Sequence, residues 1–227
     1  MNLSDAQVGV LAEHQYQELE LWYPVLRLRE AGANVLVIGP TDSQVYGSKL
    51  GYPVTADLAA DAVSADDFDA LVIPGGFAPE GLRRSSVIVE LVRGVHARGG
   101  LIAAICHAGW VLASAGIARG RKLTCVSLIK DDVLNAGGIY VDEAVVRDGN
   151  LITSRLPSDL PVFGRAIVDY LATQPSTRTS HRRLTPSRAR PPASADYQAP
   201  ARVVMAARGK GSANYILTVV DGGGAKR

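Results

Sequence analysis

Leu101-Ile-Ala-Ala-Ile-Cys106-His107-Ala-Gly109-Trp-Val-Leu-Ala-Ser-Ala-Gly-Ile-Ala118 runs for eighteen residues without a formal charge. On length alone it must be weighed as a membrane span. Gly99-Gly100 breaks the run before it starts, His107 sits near its middle, and much of it is Ala and Gly, which contribute little to insertion. A buried strand, Leu101 to Ile105, that turns at Cys106 into a helix over His107 to Ala115 accounts for it better.

Working outward, short apolar runs alternate with longer helical patterns, the signature of a parallel sheet covered by helices. Gln7–Leu11, Asn34–Ile38 and Ala70–Ile73 read as strands, the last stopped by Pro74-Gly75-Gly76. Glu18–Ala31 reads as a helix on which Leu19, Trp22, Leu26 and Arg29 keep the helical period, closed by Gly32. Val45–Ala56 looks like an excursion of short strands turned by Gly47 and Gly51. A helix is expected over Ser86–Ala97, a strand over Lys122–Ser127, and a short helix over Asp131–Ala136. Ile139–Ile152 reads as a strand pair turned at Asp148-Gly149-Asn150, and Ser158–Ala172 as the last helix of the body.

Composition supports one folded body and a different tail. With 47% hydrophobic and 20% charged residues, the 227-residue chain can bury a full core. From Thr173 onward, however, ten Lys and Arg stand against two Asp and Glu, among Pro, Ser and Thr that bury little apolar surface. The expected organisation is a body at 1–172 and a basic, largely disordered tail at 173–227. Within that tail Ala201–Ala207 and Tyr215–Val220 are apolar segments able to dock elsewhere. The two cysteines, Cys106 and Cys125, cannot staple a chain of this length, and no basic-then-apolar signal precedes the first apolar run, so a cytoplasmic setting is expected.

Cys106 stands where a buried strand becomes a helix, flanked by small residues. This is the cysteine version of a nucleophile elbow, where a tight turn exposes the reactive atom and a helix N-terminus favours the thiolate. Cys125, inside KLTCVSL, reads as buried and inert. His14, His96 and His181 are scattered without ligand spacing, so no metal and no cofactor is expected.

Together AAICHAGWVLASAG, DFDALVIPGGFAPEGLR, RGRKLT, DDVLNAGG, VVRDGN and ITSRLPSDLP resemble the ThiJ/PfpI superfamily, in its PfpI-type branch, from about Gln7 to Ala172. The resemblance implies a flavodoxin-like three-layer α/β sandwich of the class I glutamine amidotransferase-like kind, mostly parallel, with helices on both faces. It also implies a reactive Cys106, an adjacent His107, and Glu80 completing a triad with the histidine of a neighbouring subunit, hence a homodimer or larger homo-oligomer. Amides near Gly75 and Gly76 would form an oxyanion site. Counting back from Tyr23-Pro24 in ELELWYP, Gln17 takes the place of the glutamate that in the family touches the reactive sulfur. Glutamine keeps the shape but cannot relay a proton.

The implied function is a cysteine-dependent attack on a carbonyl carbon, either PfpI-like peptide hydrolysis or glyoxalase and deglycase-type chemistry on α-oxoaldehydes. The alternative is a non-catalytic redox or stress protein that senses oxidants through Cys106. The partner is a small carbonyl compound or a peptide. No membrane is involved, and nucleic acid is disfavoured because the Arg-rich SHRRLTPSRAR lacks interleaved aromatics.

Overall fold

Strands buried on both sides need helices above and below them, and the chain supplies both. The computed structural model describes residues 1–41 and 44–186, together with the backbone of two strands further on. In order, it contains β1 (Gln7–Leu11), α1 (Glu18–Glu30), β2 (Asn34–Gly39), β3 (Val45–Gly47), β4 (Pro53–Thr55), β5 (Leu58–Ala59), β6 (Ala70–Ile73), α2 (Ala78–Arg84) and α3 (Ser86–Ala97). There follow β7 (Leu101–Ile105), α4 (Gly109–Ser114), β8 (Lys122–Leu123), α5 (Lys130–Asn135), β9 (Ile139–Tyr140), β10 (Val145–Asp148), β11 (Leu151–Ser154) and α6 (Leu160–Thr173).

Seven strands form one sheet in the order β10-β11-β7-β6-β1-β2-β5. All its pairings are parallel except the hairpin β10–β11, whose turn holds Gly149 at φ +58°. The step from β1 through α1 to β2 runs one way along the sheet, and the step from β6 through α2 and α3 to β7 runs the other. Right-handed crossovers in opposite directions place α1 and α3 on opposite faces, which gives the three layers. Helix α6 packs on α1 at Gly164, where an added Cβ would come within 2.7 Å of the Tyr23 ring. The reversal between β1 and β6 opens a crevice at the carboxyl ends of the strands, where ligands of open α/β sheets bind.

Helix α1 presents a different face from the one its periodicity suggested. Its buried side is Glu20, Leu21, Pro24, Val25 and Leu28, whereas Leu19 and Leu26 are 56% and 59% exposed. The helix carries two apolar stripes, and the one that packs inward contains a glutamate. Among the described residues no helix is long and apolar enough to cross a membrane.

The body also extends past the expected boundary at residue 172. Residues 174–184 lie as a strap across the amino ends of β1, β2 and β6. Ser176 Oγ and the Thr177 amide donate to Asp69 Oδ1, at 2.6 and 3.2 Å, and the Arg178 guanidinium sits 3.0 Å from Oδ2. Arg98 donates to the Thr177 carbonyl from the other side. Gln7 reaches the strap at both ends of its amide, giving a hydrogen bond to the Arg182 carbonyl and taking one from the Leu184 amide, and Leu184 is 1% exposed. A compositional reading finds too little apolar surface here for folding. The strap instead docks by hydrogen bonds to polar groups that the sheet has already buried.

A second unit, Arg190–Arg227, contains β12 (Arg202–Ala206) and β13 (Ile216–Val220), antiparallel and registered Arg202 to Val220. The expectation of a largely disordered tail did not include this hairpin. The rest of the expected tail, including the ends of its two apolar segments, lies outside the described residues.

Candidate active site

Cys106 follows the last residue of β7 and takes φ +62°, a left-handed conformation that costs a side chain energy and persists only where its surroundings impose it. The turn after it, Cys106–Ala108, is a 3-10 helix, and the regular helix α4 that follows has six residues. The expected helix over His107–Ala115 is therefore shorter and starts tighter. Cys106 is 8% exposed.

Opposite the sulfur lies the Pro74-Gly75-Gly76 turn at the end of β6. A Cβ on Gly75 would fall 2.6 Å from Cys106 Cβ and 2.6 Å from Glu20 Oε2, so only glycine lets these three groups meet. Gly76, at φ +74°, bridges to Tyr16 in the loop after β1. The two glycines expected at an oxyanion site differ in how their amides are used. The Gly75 amide is committed to Glu20 Oε2 at 2.8 Å, while the amides that turn toward the sulfur and ease its ionisation are those of Gly76 and His107.

Gln17 does not touch the sulfur. It is the N-cap of α1, its Oε1 accepting the Glu20 amide at 2.8 Å and its own amide donating to the Gly75 carbonyl at 3.2 Å. The carboxyl group at the sulfur belongs to Glu20, three residues on and fully buried. The correction is one of helical register, because position 17 caps the helix from outside while position 20 opens its inward stripe. The site therefore has a carboxyl group at its sulfur.

Burial pushes Glu20 up to about 7, against the pull of the Gly75 hydrogen bond and of the Cys106 thiol. Its Oε1 is buried without a partner of ordinary hydrogen-bond geometry. A buried carboxyl oxygen beside a sulfur is well placed to carry a proton and offer it to a thiolate. Burial raises the thiol as well, and the Glu20 charge raises it further, so the lowering expected from a helix N-terminus does not prevail. Two buried acids in contact titrate as a pair.

His107 places Nδ1 3.3 Å from Cys106 Sγ, with its ring between those of Phe77 and Trp110. Burial, with help from the Lys49 charge, lowers its pKa, so at neutral pH the imidazole is uncharged. Glu80 is exposed on the first turn of α2, and among the described residues its carboxyl makes no hydrogen bond or ion pair with His107 of its own chain. Cys125 is buried, with its thiol pushed up to about 12 by that burial.

The mouth of the site has a lip that the sequence reading did not single out. Between β3 and β4, Ser48 Oγ and the Leu50 amide both donate to Glu18, and these bonds, with Lys49 nearby, hold that carboxyl below its usual range although burial works the other way. Tyr16 donates to the Tyr52 carbonyl at 2.5 Å, and the Lys49 amide donates to the Tyr16 carbonyl at 2.9 Å. Lys49 Nζ lies 5.1 Å from the centre of the Phe77 ring.

Residues 6–170 match the model of the DJ-1/PfpI family. The chain belongs to that family. Among similar proteins, a deglycase of Pyrococcus abyssi (strain GE5 / Orsay) is 44% identical over 165 residues, covering 73% of this chain and 99% of the relative. Deglycase PfpI of Pyrococcus furiosus is 43% identical over 161 residues, covering 71% and 96%. The crystal structure of Drosophila melanogaster DJ-1beta superposes with a TM-score of 0.71 at 34% identity, covering 76% of this chain and 94% of that one. DJ-1/PfpI membership accounts for the flavodoxin-like sheet and for the span of the resemblance, and the match ends before the strap and the hairpin begin.

Proposed function

We propose that this chain is a cysteine-dependent enzyme acting on small α-oxoaldehydes or their adducts, a reading supported by relatives that carry the name deglycase. The observation that carries this reading is the buried Glu20 carboxyl beside Cys106, with a pKa moved to about 7, where it can both accept and return a proton. The Cys106 sulfur adds to the aldehyde carbon, forming a C–S bond while the carbonyl π pair moves to oxygen near the Gly76 and His107 amides. Glu20 takes the proton from that carbon and returns it to the neighbouring carbon, leaving a thioester. Water then releases the hydroxy acid and the thiol. A cysteine only 8% exposed favours a small substrate over a polypeptide.

Glu80 enters the chemistry only through a second subunit that brings it to His107. The exposed Leu19 and Leu26 stripe of α1 is apolar surface that such a subunit could cover.

The test is methylglyoxal consumption and peptide cleavage measured on one purified sample, with Cys106→Ala as control. Methylglyoxal loss that disappears in the variant is expected. Peptide cleavage without methylglyoxal loss would move the protein to the peptidase reading. Neither activity, with Cys106 converted to sulfinic acid by peroxide, would move it to the redox alternative.

A further inference from the structure

Lys49 is a cation at the mouth of the site, and its surroundings leave its ammonium available to an anion. It is exposed, and among the described residues no carboxylate lies within ion-pair distance of its ammonium. Glu18, which feels its charge, already accepts hydrogen bonds from Ser48 and Leu50. The backbone of Lys49 is held by the hydrogen bond its amide donates to the Tyr16 carbonyl, so the side chain starts from a fixed lip. From there Nζ reaches over the Phe77 ring at 5.1 Å, Phe77 faces the His107 ring at 6.1 Å, and His107 lies 3.3 Å from the sulfur. Its charge also acts on both His107 and Glu20.

We propose that Lys49 is a specificity-determining residue that draws carboxylate-bearing carbonyl compounds to Cys106. The substrate-class part rests on the functional reading above, whereas the attraction of anions to the sulfur does not. A lone ammonium against an aromatic face, beside a low-dielectric pit, favours an anion whose reacting carbon is one bond from its charge. Glyoxylate is the simplest probe. Addition of the Cys106 thiol forms a C–S bond, opens the carbonyl π bond and leaves the thiol proton on the new hydroxyl, with the carboxylate turned toward Lys49.

Two alkylating agents of nearly the same size isolate the charge effect. Both displace iodide and form the same kind of C–S bond, but iodoacetate is an anion and iodoacetamide is neutral. Modification of Cys106 is followed by peptide mapping, which separates it from Cys125. Any change in the acidity of the thiol moves both rates together, so the iodoacetate-to-iodoacetamide ratio reports attraction alone. Lys49→Gln should lower that ratio about three- to tenfold, Lys49→Arg should retain it, and added salt should lower it in the native protein and in Lys49→Arg but little in Lys49→Gln. Protection of Cys106 by glyoxylate should weaken in Lys49→Gln by the same factor. A ratio unchanged in Lys49→Gln overturns the proposal. Failure to consume methylglyoxal with a Lys49-dependent ratio intact would instead sink the functional reading alone.

Discussion

At the carboxyl ends of the strands, Glu20 is fully buried with one firm hydrogen bond, from the Gly75 amide, and an oxygen left unsatisfied. At the amino ends Asp69 is almost as deeply buried, yet the amides of Gln7 and Thr177, the Ser176 hydroxyl and the Arg178 guanidinium all converge on it. The same functional group has four partners at one end of the sheet and few at the other. Those partners make Asp69 an anchor for the strap. With fewer partners and a pKa raised to about 7, Glu20 can exchange a proton with the nucleophile beside it, which is what acid–base chemistry needs.

The largest test of this contrast removes the anchor. Ending the chain after Gln174 deletes Ser176, Thr177, Arg178 and the buried Leu184, leaving Asp69 with the Gln7 amide as its remaining partner among those described. We expect a loss of about 3 kcal/mol in urea denaturation, typical of stripping the partner from a buried charge. An unchanged midpoint would mean that the strap does not hold Asp69 and would erase the comparison.

Glu20→Gln probes the end with few partners. Turnover of methylglyoxal should fall about 10²-fold, and the pH curve for Cys106 alkylation should move to lower pH, because the Glu20 charge is the main influence after burial that raises the thiol. Stability should change in the opposite sense. Between the ordinary carboxylate value of 4.5 and about 7, folded Glu20 holds a proton that the unfolded chain has released, so native stability declines as pH rises through that window. The variant should lack this decline when urea midpoints at pH 5 and pH 8 are compared. An alkylation curve that stays in place would separate Glu20 from the sulfur.

The smallest expected effect is at Gln17. Gln17→Ala removes a helix cap and should cost about 1 kcal/mol without moving the alkylation curve. A shift in that curve would return Gln17 to the role the sequence reading gave it.

Much of the fold was legible because strands buried on both sides announce themselves as short apolar runs, and because LIAAICHAG joins one directly to a tight turn. The carboxyl group at the sulfur was harder to find. In QELELWYP three polar residues lie within four positions, and only helical phase separates the cap at Gln17 from the inward Glu20. A usable signal was present, since Glu20, Pro24 and Leu28 recur at intervals of four along one face. The more apolar stripe through Leu19, Trp22 and Leu26 drew attention to the wrong side. Lys49 gave no such signal, because its relation to His107 exists only once β3 and β4 have folded back over Phe77. The strap was missed for another reason. Composition measures how much apolar surface a segment can bury, whereas residues 174–184 are held mainly by polar groups supplied from elsewhere in the sheet.

The left-handed backbone at Cys106 sets a limit on how this chain can be improved. Glycine is the one residue that adopts φ +62° at ease, and glycine carries no nucleophile. A library randomised at position 106 and selected for thermal resistance is therefore drawn toward the replacement that ends the chemistry, while one selected for turnover keeps the strained thiol. The two selections diverge at a single backbone torsion.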